Sequence, residues 1–570
     1  MPSGVEKTGF LWCGSIGELL AGVADGARVG VGGFHFTRLP IAQLLELRRE
    51  RRDLTYVAWG GGLALELLLD AGAVSRAELT FSSLDVFGPA PRFRRAVERG
   101  ELELTEWTAL GMIKALQARS QRLGFEVMQR LAGTDLGADW SRPVDDPFGG
   151  ESAHAAVPAL QLDAFLLHAG RADDAGNVEI RGARGIDLSA IFAADRVLVT
   201  VEERVAVGEL GAPGAFVLPR SFVDRVAVAP YGAYPSSCLP AYAADLRRLA
   251  DIAARGPDEP LEDARFDPDG QARSRVGAAA RVRVETIDRT VRPRLGDRAD
   301  RIDDDRPADR AEVMVCALAR TLENASVASV GSASPLPTVA YLLAKLLWAP
   351  ELVLMSFNGG LVDVGWRPMT LAFAETLDFH SAATHAGGDE TYHWYYQQGR
   401  VTHEVVGTAQ LDRSGATNNI AVARSDGSLV RLPGQGGMAD VANLHASFVL
   451  YLPRHDRRNT VARVHTRSAS RVRPGAMVVL TDLGRFERRD GELVLTHTHP
   501  GVELAEVRER TGWDLLVADD LAVTSVPTDT ELRALRHRVD PLGIRRLDFV
   551  PAAERGELIR ALLDEEERTL

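Results

Sequence analysis

One unit, met twice, most constrains how this chain can fold. Ala27–Leu45 reads as an apolar run, a glycine loop, Pro40 and then a helix; Ser326–Leu343 repeats the order with Gly331 and Pro337. Short apolar runs alternating with helical patterns build a mostly parallel sheet covered by helices. Each half later carries an apolar run, then a turn from Asp to Asn, Asp174–Asn177 in the first and Asp412–Asn418 in the second. The expected fold is therefore α/β, with two related domains in tandem. From Arg255 to Arg310 apolar periodicity fades and Arg, Asp, Pro and Gly dominate. The later part reads as a solvated linker. This gives residues 1–287 as the first domain, 288–309 as the linker and 310–570 as the second domain.

Within the first half, helices are expected at Ser15–Val23 and Ile41–Arg51, and strands at Ala27–Val31, Leu54–Trp59, Leu79–Ser83, Ala164–His168 and Arg196–Val201. Trp140–Gly150, rich in Pro, Asp and Gly, reads as a loop. In the second half, Leu352–Val364 (LVLMSFNGGLVDV) runs as an apolar strand into a polar turn and a glycine pair. The carboxyl end of a buried strand is where α/β proteins place their chemistry.

Composition sets outer limits. At 570 residues the chain exceeds a single core. A formal charge of −13 argues against nucleic acid as partner. Cys13, Cys238 and Cys316 show no metal-ligand spacing, which suits a reducing compartment. No signal pattern and no membrane-length apolar run is visible, so a cytoplasmic location off the membrane is expected. His380, His385, His393 and His403 match no familiar ligand set, and no metal is expected. Their segment, Phe379–Glu404, reads as a substrate-facing insertion.

Two glycine loops stand out. Gly30, Gly32, Gly33 and Phe34 form a tight turn whose N–H groups could hold an oxyanion, or a strand–helix turn of any α/β fold. Gly434, Gly436 and Gly437 with Asp440 form the second, expected either to bind a cofactor through N–H groups that suit phosphate or carbonyl oxygens or to be a surface turn; it is neither a Walker loop nor a dinucleotide fingerprint.

Together with Pro230–Cys238, Leu432–Asp440 (LPGQGGMAD), His499–Val502 and Thr511–Trp513, these segments resemble the family I coenzyme A transferases over nearly the whole chain. The first half is similar to the first subunit of that family and the second half to the second subunit. The second half is also similar to the ring-cleaving CoA hydrolases of steroid catabolism. The resemblance implies an acyl-CoA substrate, with coenzyme A entering as the thioester, and leaves a homodimer open. It also implies a catalytic glutamate in a Ser-Glu-Asn-Gly turn, where this chain reads Ser356-Phe357-Asn358-Gly359. A phenyl ring has no nucleophilic oxygen, so a covalent glutamyl route cannot run through Phe357. The resemblance therefore implies hydrolysis or carbon–carbon cleavage, with Phe357, Asn358 and Gly359 lining the site. The alternatives are a transferase with a relocated glutamate and a non-catalytic acyl-CoA binder. By the same resemblance Glu106, in LTEWTALGM, is the candidate base; otherwise it caps the following helix.

Overall fold

The computed structural model describes residues 10–130, 133–150, 153–261, 289, 294–295, 305–331, 334–356, 360–424 and 426–568. Phe357, Asn358, Gly359 and most of the expected linker lie outside the described residues. Leu295, from the linker stretch, is buried against the second-half core.

The first half is built on a sheet whose main path has eight strands: β1 (Leu11–Cys13), β2 (Arg28–Val31), β3 (Leu54–Val57), β4 (Val74–Leu79), β5 (Glu103–Glu106), β6 (Ala164–Asp173), β7 (Val197–Val205) and β8 (Arg225–Val228). Their spatial order is β1-β8-β7-β6-β2-β3-β4-β5, and every pairing along it is parallel. The centre is apolar on both faces, as the buried AFLLHA of β6 shows, because helices cover both sides.

The second half repeats the plan with β9 (Val327–Ser329), β10 (Val353–Met355), β11 (His403–Gly407), β12 (Phe448–Leu452) and β13 (Met477–Thr481). An antiparallel extension follows, β14 (Gly484–Arg489) and β15 (Glu492–Thr498), with β16 (Leu516–Val523) parallel to β15 at the edge. The order is β10-β9-β11-β12-β13-β14-β15-β16. In each half the strand leading into the repeated unit lies between its successor and a strand that arrives much later: β6-β2-β3 in one, β11-β9-β10 in the other. These are topological switch points, where adjacent connections leave in opposite directions and open a crevice at the strand ends. The two halves meet there. One cluster of buried residues runs from Phe34, Trp59 and Leu110 to Tyr392, Met438 and Val441.

Most expected elements form, but the helix expected at Ser15–Val23 is Ile16–Leu20, and the strands expected at Ala164–His168 and Arg196–Val201 run on to Asp173 and Val205. Two differ more. The strand expected at Leu79–Ser83 ends at Leu79; Thr80–Ser83 instead bonds across to the second half, with Ser82 N–H donating to Pro433 O at 2.7 Å and Thr80 O accepting from Gly436 N–H at 3.0 Å. Trp140–Gly150 contains a short strand, Arg142–Val144, paired with His154–Pro158. Polar, proline-bearing composition hid it, because edge strands tolerate both.

The first glycine loop is close-packed. A Cβ on Gly32 would lie 2.9 Å from the Phe165 ring, and one on Gly33, at φ +78°, would lie 2.4 Å from the Thr37 carbonyl oxygen. Gly33→Ala is thus expected to cost about 3 kcal/mol or more, from left-handed strain plus a backbone clash. Denaturant unfolding measures it; an unchanged midpoint would contradict the packing.

Candidate active site

A cavity of about 430 Å³ lies between the two switch points. The first half contributes the loop after β2, with Phe34 and His35, and the turn after β4, with Thr80 and Phe81. The second half contributes Val330 and Gly331 after β9, Ser356 after β10, and Glu404, Val406 and Gly407 of β11. Gly434, Gly436 and Gly437 close one side, and Tyr392 and Tyr396 from the segment expected to face substrate close another. Much of the wall is aromatic: Phe34 packs on Trp59 at 5.3 Å, Trp59 on Tyr392 at 5.7 Å, and Tyr392 stacks on Tyr396 at 4.3 Å.

Of the residues singled out in the sequence, Phe34, Gly434, Gly436 and Gly437 line this cavity. Ser356, which precedes Phe357, lines it too. Gly30, Gly32 and Gly33 lie behind that wall. Gly32 N–H is bonded to Leu166 O at 2.9 Å and Gly33 N–H to Asp187 Oδ1 at 3.0 Å, so these donors hold the loop rather than face the cavity. The second loop is also largely self-satisfied. Gly434 N–H goes to Asn419 O, Gly436 N–H to Thr80 O, and Gln435 N–H to Glu106 Oε1 at 3.2 Å. Among the described residues, Gly437 N–H has no such partner.

Glu106, at the end of β5, is nearly buried and pairs with Arg431 at 2.8 Å. It therefore grips the Gly434–Gln435 turn from the first half. Asp440 lies deeper. Its carboxyl accepts Leu110 N–H at 2.9 Å at the start of helix Ala109–Ser120, and burial pushes its pKa up to about 7. Asp440 joins the two halves and is not part of the cavity wall.

The structure adds residues that the sequence alone did not single out. Glu404 is buried and faces the cavity from a central strand. Desolvation raises its carboxyl to about 7, although the Ser329 and Tyr396 hydroxyls favour the charged form. Its Oε2 has no hydrogen-bond partner, and the nearest cation candidate, His445 Nε2, is 3.7 Å away. Burial holds His445 near 3, so it is neutral and offers no counter-charge. The only signal was a lone carboxylate in a short β-branched stretch, Val401–Gly407 (VTHEVVG). His35 and Asp85 form a second pair, Nδ1 to Oδ2 at 3.1 Å, both nearly buried. Both hold positive φ, +53° and +54°, a strained conformation that clusters at functional sites.

Outside the cavity, His168, Glu202 and Cys238 place ligand-type atoms within 4.8 Å of one another. Hydrogen bonds account for much of this group: His168 bonds Thr200 at 2.9 Å and Glu202 at 2.6 Å, and Tyr242 donates to Glu202 at 2.6 Å. Burial raises the Cys238 thiol well above its ordinary range, which keeps it protonated. Cys13, Cys238 and Cys316 are all free and buried. Among the described residues, no helix is long and apolar enough to cross a membrane.

Two α/β halves closing one cavity between their switch points define a class in which a single polypeptide carries what a two-subunit enzyme divides between chains. The chain belongs to the coenzyme A transferase family. The family model described as Coenzyme A transferase matches residues 14–229. One subunit of 3-oxoadipate CoA-transferase from Pseudomonas knackmussii is 32% identical over 247 residues, covering 40% of this chain and 91% of the relative. The other subunit of the same enzyme is 34% identical over 221 residues, covering 38% and 77%. The IpdA subunit of a cholesterol ring-cleaving hydrolase from Mycobacterium tuberculosis is 33% identical over 247 residues, covering 40% and 83%. A crystal structure of an acyl-CoA transferase from E. coli O157:H7, in a thioester complex with CoA, superposes with a TM-score of 0.64 at 14% identity, covering 92% of this chain and 96% of that one. That last likeness establishes the fold across both halves. The protein is a CoA-transferase-like enzyme with its two subunit-like halves fused.

Proposed function

We propose that the protein processes an acyl-CoA thioester by adding water, through thioester hydrolysis or carbon–carbon cleavage at an adjacent carbonyl, with Glu404 as the proton-transfer group. The observation that carries this reading is a buried carboxyl raised to about 7 in the wall of the shared cavity. A general base works best when its pKa lies near the working pH. In this reading Glu404 takes a proton from water, and the resulting hydroxide adds to the carbonyl carbon. Collapse breaks the C–S bond, and Glu404 returns the proton to the departing CoA thiolate. Attack at an adjacent carbonyl breaks a C–C bond by the same proton traffic. Gly437 N–H supports the developing oxyanion, while Phe34 and the Trp59–Tyr392–Tyr396 wall take the apolar acyl group. Phe357 removes the carboxylate that would otherwise be acylated. The reading uses no metal ion.

The same carboxylate favours one other reading, a transferase whose nucleophile has moved from position 357 to Glu404. The test is incubation with a panel of acyl-CoAs while following free thiol and the mass of the remaining thioester. Thiol release, or a shortened thioester, that is unaffected by a chelator and independent of added carboxylic acid supports water addition. Release that requires a second acid supports transfer, and binding without turnover would mark a non-catalytic relative.

In this reading Glu106 positions the glycine turn. Glu106→Gln keeps an acceptor for Gln435 N–H but leaves Arg431 without its counter-charge, so turnover is expected to fall about tenfold. The pH–rate limb near 7 should persist. A loss of about a hundredfold together with that limb would make Glu106 the base instead.

A further inference from the structure

A second depression lies on the second half, away from the cavity, and its chemistry is different. Arg413, Arg457, Arg463, Arg467 and Arg508 converge on an open groove together with Trp513. The chain as a whole carries a formal charge of −13, so this concentration of guanidinium groups runs against its composition. Arg413 has Glu492 at 3.4 Å, and Arg457 Nε donates to Glu509 O at 2.7 Å. Among the described residues, Arg463, Arg467 and Arg508 have no carboxylate partner. Of the groove's acids, Asp412 spends its carboxylate on Ser414, Ala416 and Val464 N–H groups, which leaves the exposed Asp514. Unpaired like charges repel, and a bound anion relieves that repulsion. Two buried donors at the groove also lack partners, Arg467 Nε and the Trp513 indole Nε1.

We propose that this groove binds a nucleoside phosphate, the guanidiniums holding the phosphate oxygens and Trp513 stacking against the base. Arg suits this role because its planar fork donates two parallel bonds to a phosphate, and an indole face supplies sequence-tolerant stacking for any base. The strand Gln410–Asp412 links the groove to the cavity: Asn419, in the cavity wall, accepts Ala409 N–H at 2.8 Å, and Arg413 follows four residues on. At strand rise that is about 13 Å, a span that a pantetheine arm covers. The nucleotide is therefore either the adenosine 3′-phosphate 5′-diphosphate end of a CoA thioester, which rests on the reading above, or a free nucleotide.

Calorimetric titration of the full chain with adenosine 3′,5′-bisphosphate, ADP and inorganic pyrophosphate tests this without needing turnover. Wild type should bind both nucleotides. The double variant R463Q/R508Q, at exposed positions, should weaken binding tenfold or more, and W513F should weaken the nucleotides more than pyrophosphate. If the CoA end is the occupant, R463Q/R508Q also raises the KM for an acyl-CoA about tenfold but not that for the matching acyl-pantetheine, which has no nucleotide. If a free nucleotide is the occupant, both KM values stay and only nucleotide binding weakens. A chain that binds nucleotide but turns over no thioester would sink the functional reading and keep this one. No binding at millimolar nucleotide, or equal binding by wild type and double variant, would overturn it.

Discussion

Glu404→Gln is expected to lower acyl-CoA turnover by about a hundredfold or more, and at the same time to leave the protein folded and more stable at alkaline pH. Glutamine keeps the shape and the contacts to Ser329 and Tyr396 but cannot take a proton from water. The wild-type rate should rise with pH through about 7 as Glu404 ionises, and the variant should lose that limb. The stability change has a definite sign. The folded pKa, about 7, lies above the ordinary value of 4.5. Stability is complete below about 4.5, falls as the unfolded chain ionises first, and reaches its full deficit above 7. A shift of that size corresponds to about 3 kcal/mol. The neutral amide escapes most of it, so the variant should unfold at a higher temperature than wild type at pH 8. Turnover within twofold of wild type, or a less stable variant at pH 8, would contradict the role given to Glu404.

The second large effect concerns the whole fold. Glu375, Asp440, Asp548 and Glu566 are buried carboxyls that desolvation also lifts to about 7. Glu375 crosses the junction, accepting Thr37 Oγ1 at 2.6 Å and Ser237 Oγ at 2.8 Å. With Glu404 they contribute most while protonated, and the contribution drains away between about pH 4 and 7. Glu312 and Glu531 work in the opposite sense: arginine partners hold them low, and they lose their contribution only as pH falls through their depressed folded values. Buried histidines oppose the carboxyls: burial holds His445 near 3 and His455 and His499 near 4, so their contribution is complete only above about pH 6.5 and is lost as pH falls. Substitution isolates the carboxyls: E375Q/E566Q should raise the unfolding temperature by about 5 °C at pH 8 and leave it nearly unchanged at pH 4. Calorimetry at the two pH values measures it; an equal or lower unfolding temperature for the variant at pH 8 would contradict the raised pKa of these carboxyls.

The two-half α/β plan was legible because both repeats of strand, glycine loop, proline and helix survive in the chain. Strand pairing was not: that β6 lies beside β2 follows from long-range packing of Phe165 against Gly30 and Gly32, which no local pattern encodes. At the site, the glycine loops stood out in the sequence, but their donors could not be counted there. Only the fold reveals that Leu166 O, Asp187 and Glu106 already take them. Glu404 did not stand out because a carboxylate that follows Thr402 and His403 reads as part of a polar edge until its strand is seen to be central, between β9 and β12. His35 and Asp85 are fifty positions apart in sequence, so their pairing has no local trace.

The most direct test of the account follows one acyl-CoA that the protein turns over, with a labelled free carboxylic acid present, and then reads the peptides of the quenched enzyme by mass. The account predicts one oxygen from isotopically labelled water in the acid product, with CoA either released in equal amount by thioester hydrolysis or kept in a shortened thioester by carbon–carbon cleavage, no label moving into CoA thioester, and no CoA adduct on any glutamate. A CoA adduct on Glu404, with the labelled acid carried into thioester, would contradict it and make the enzyme a transferase with a displaced nucleophile.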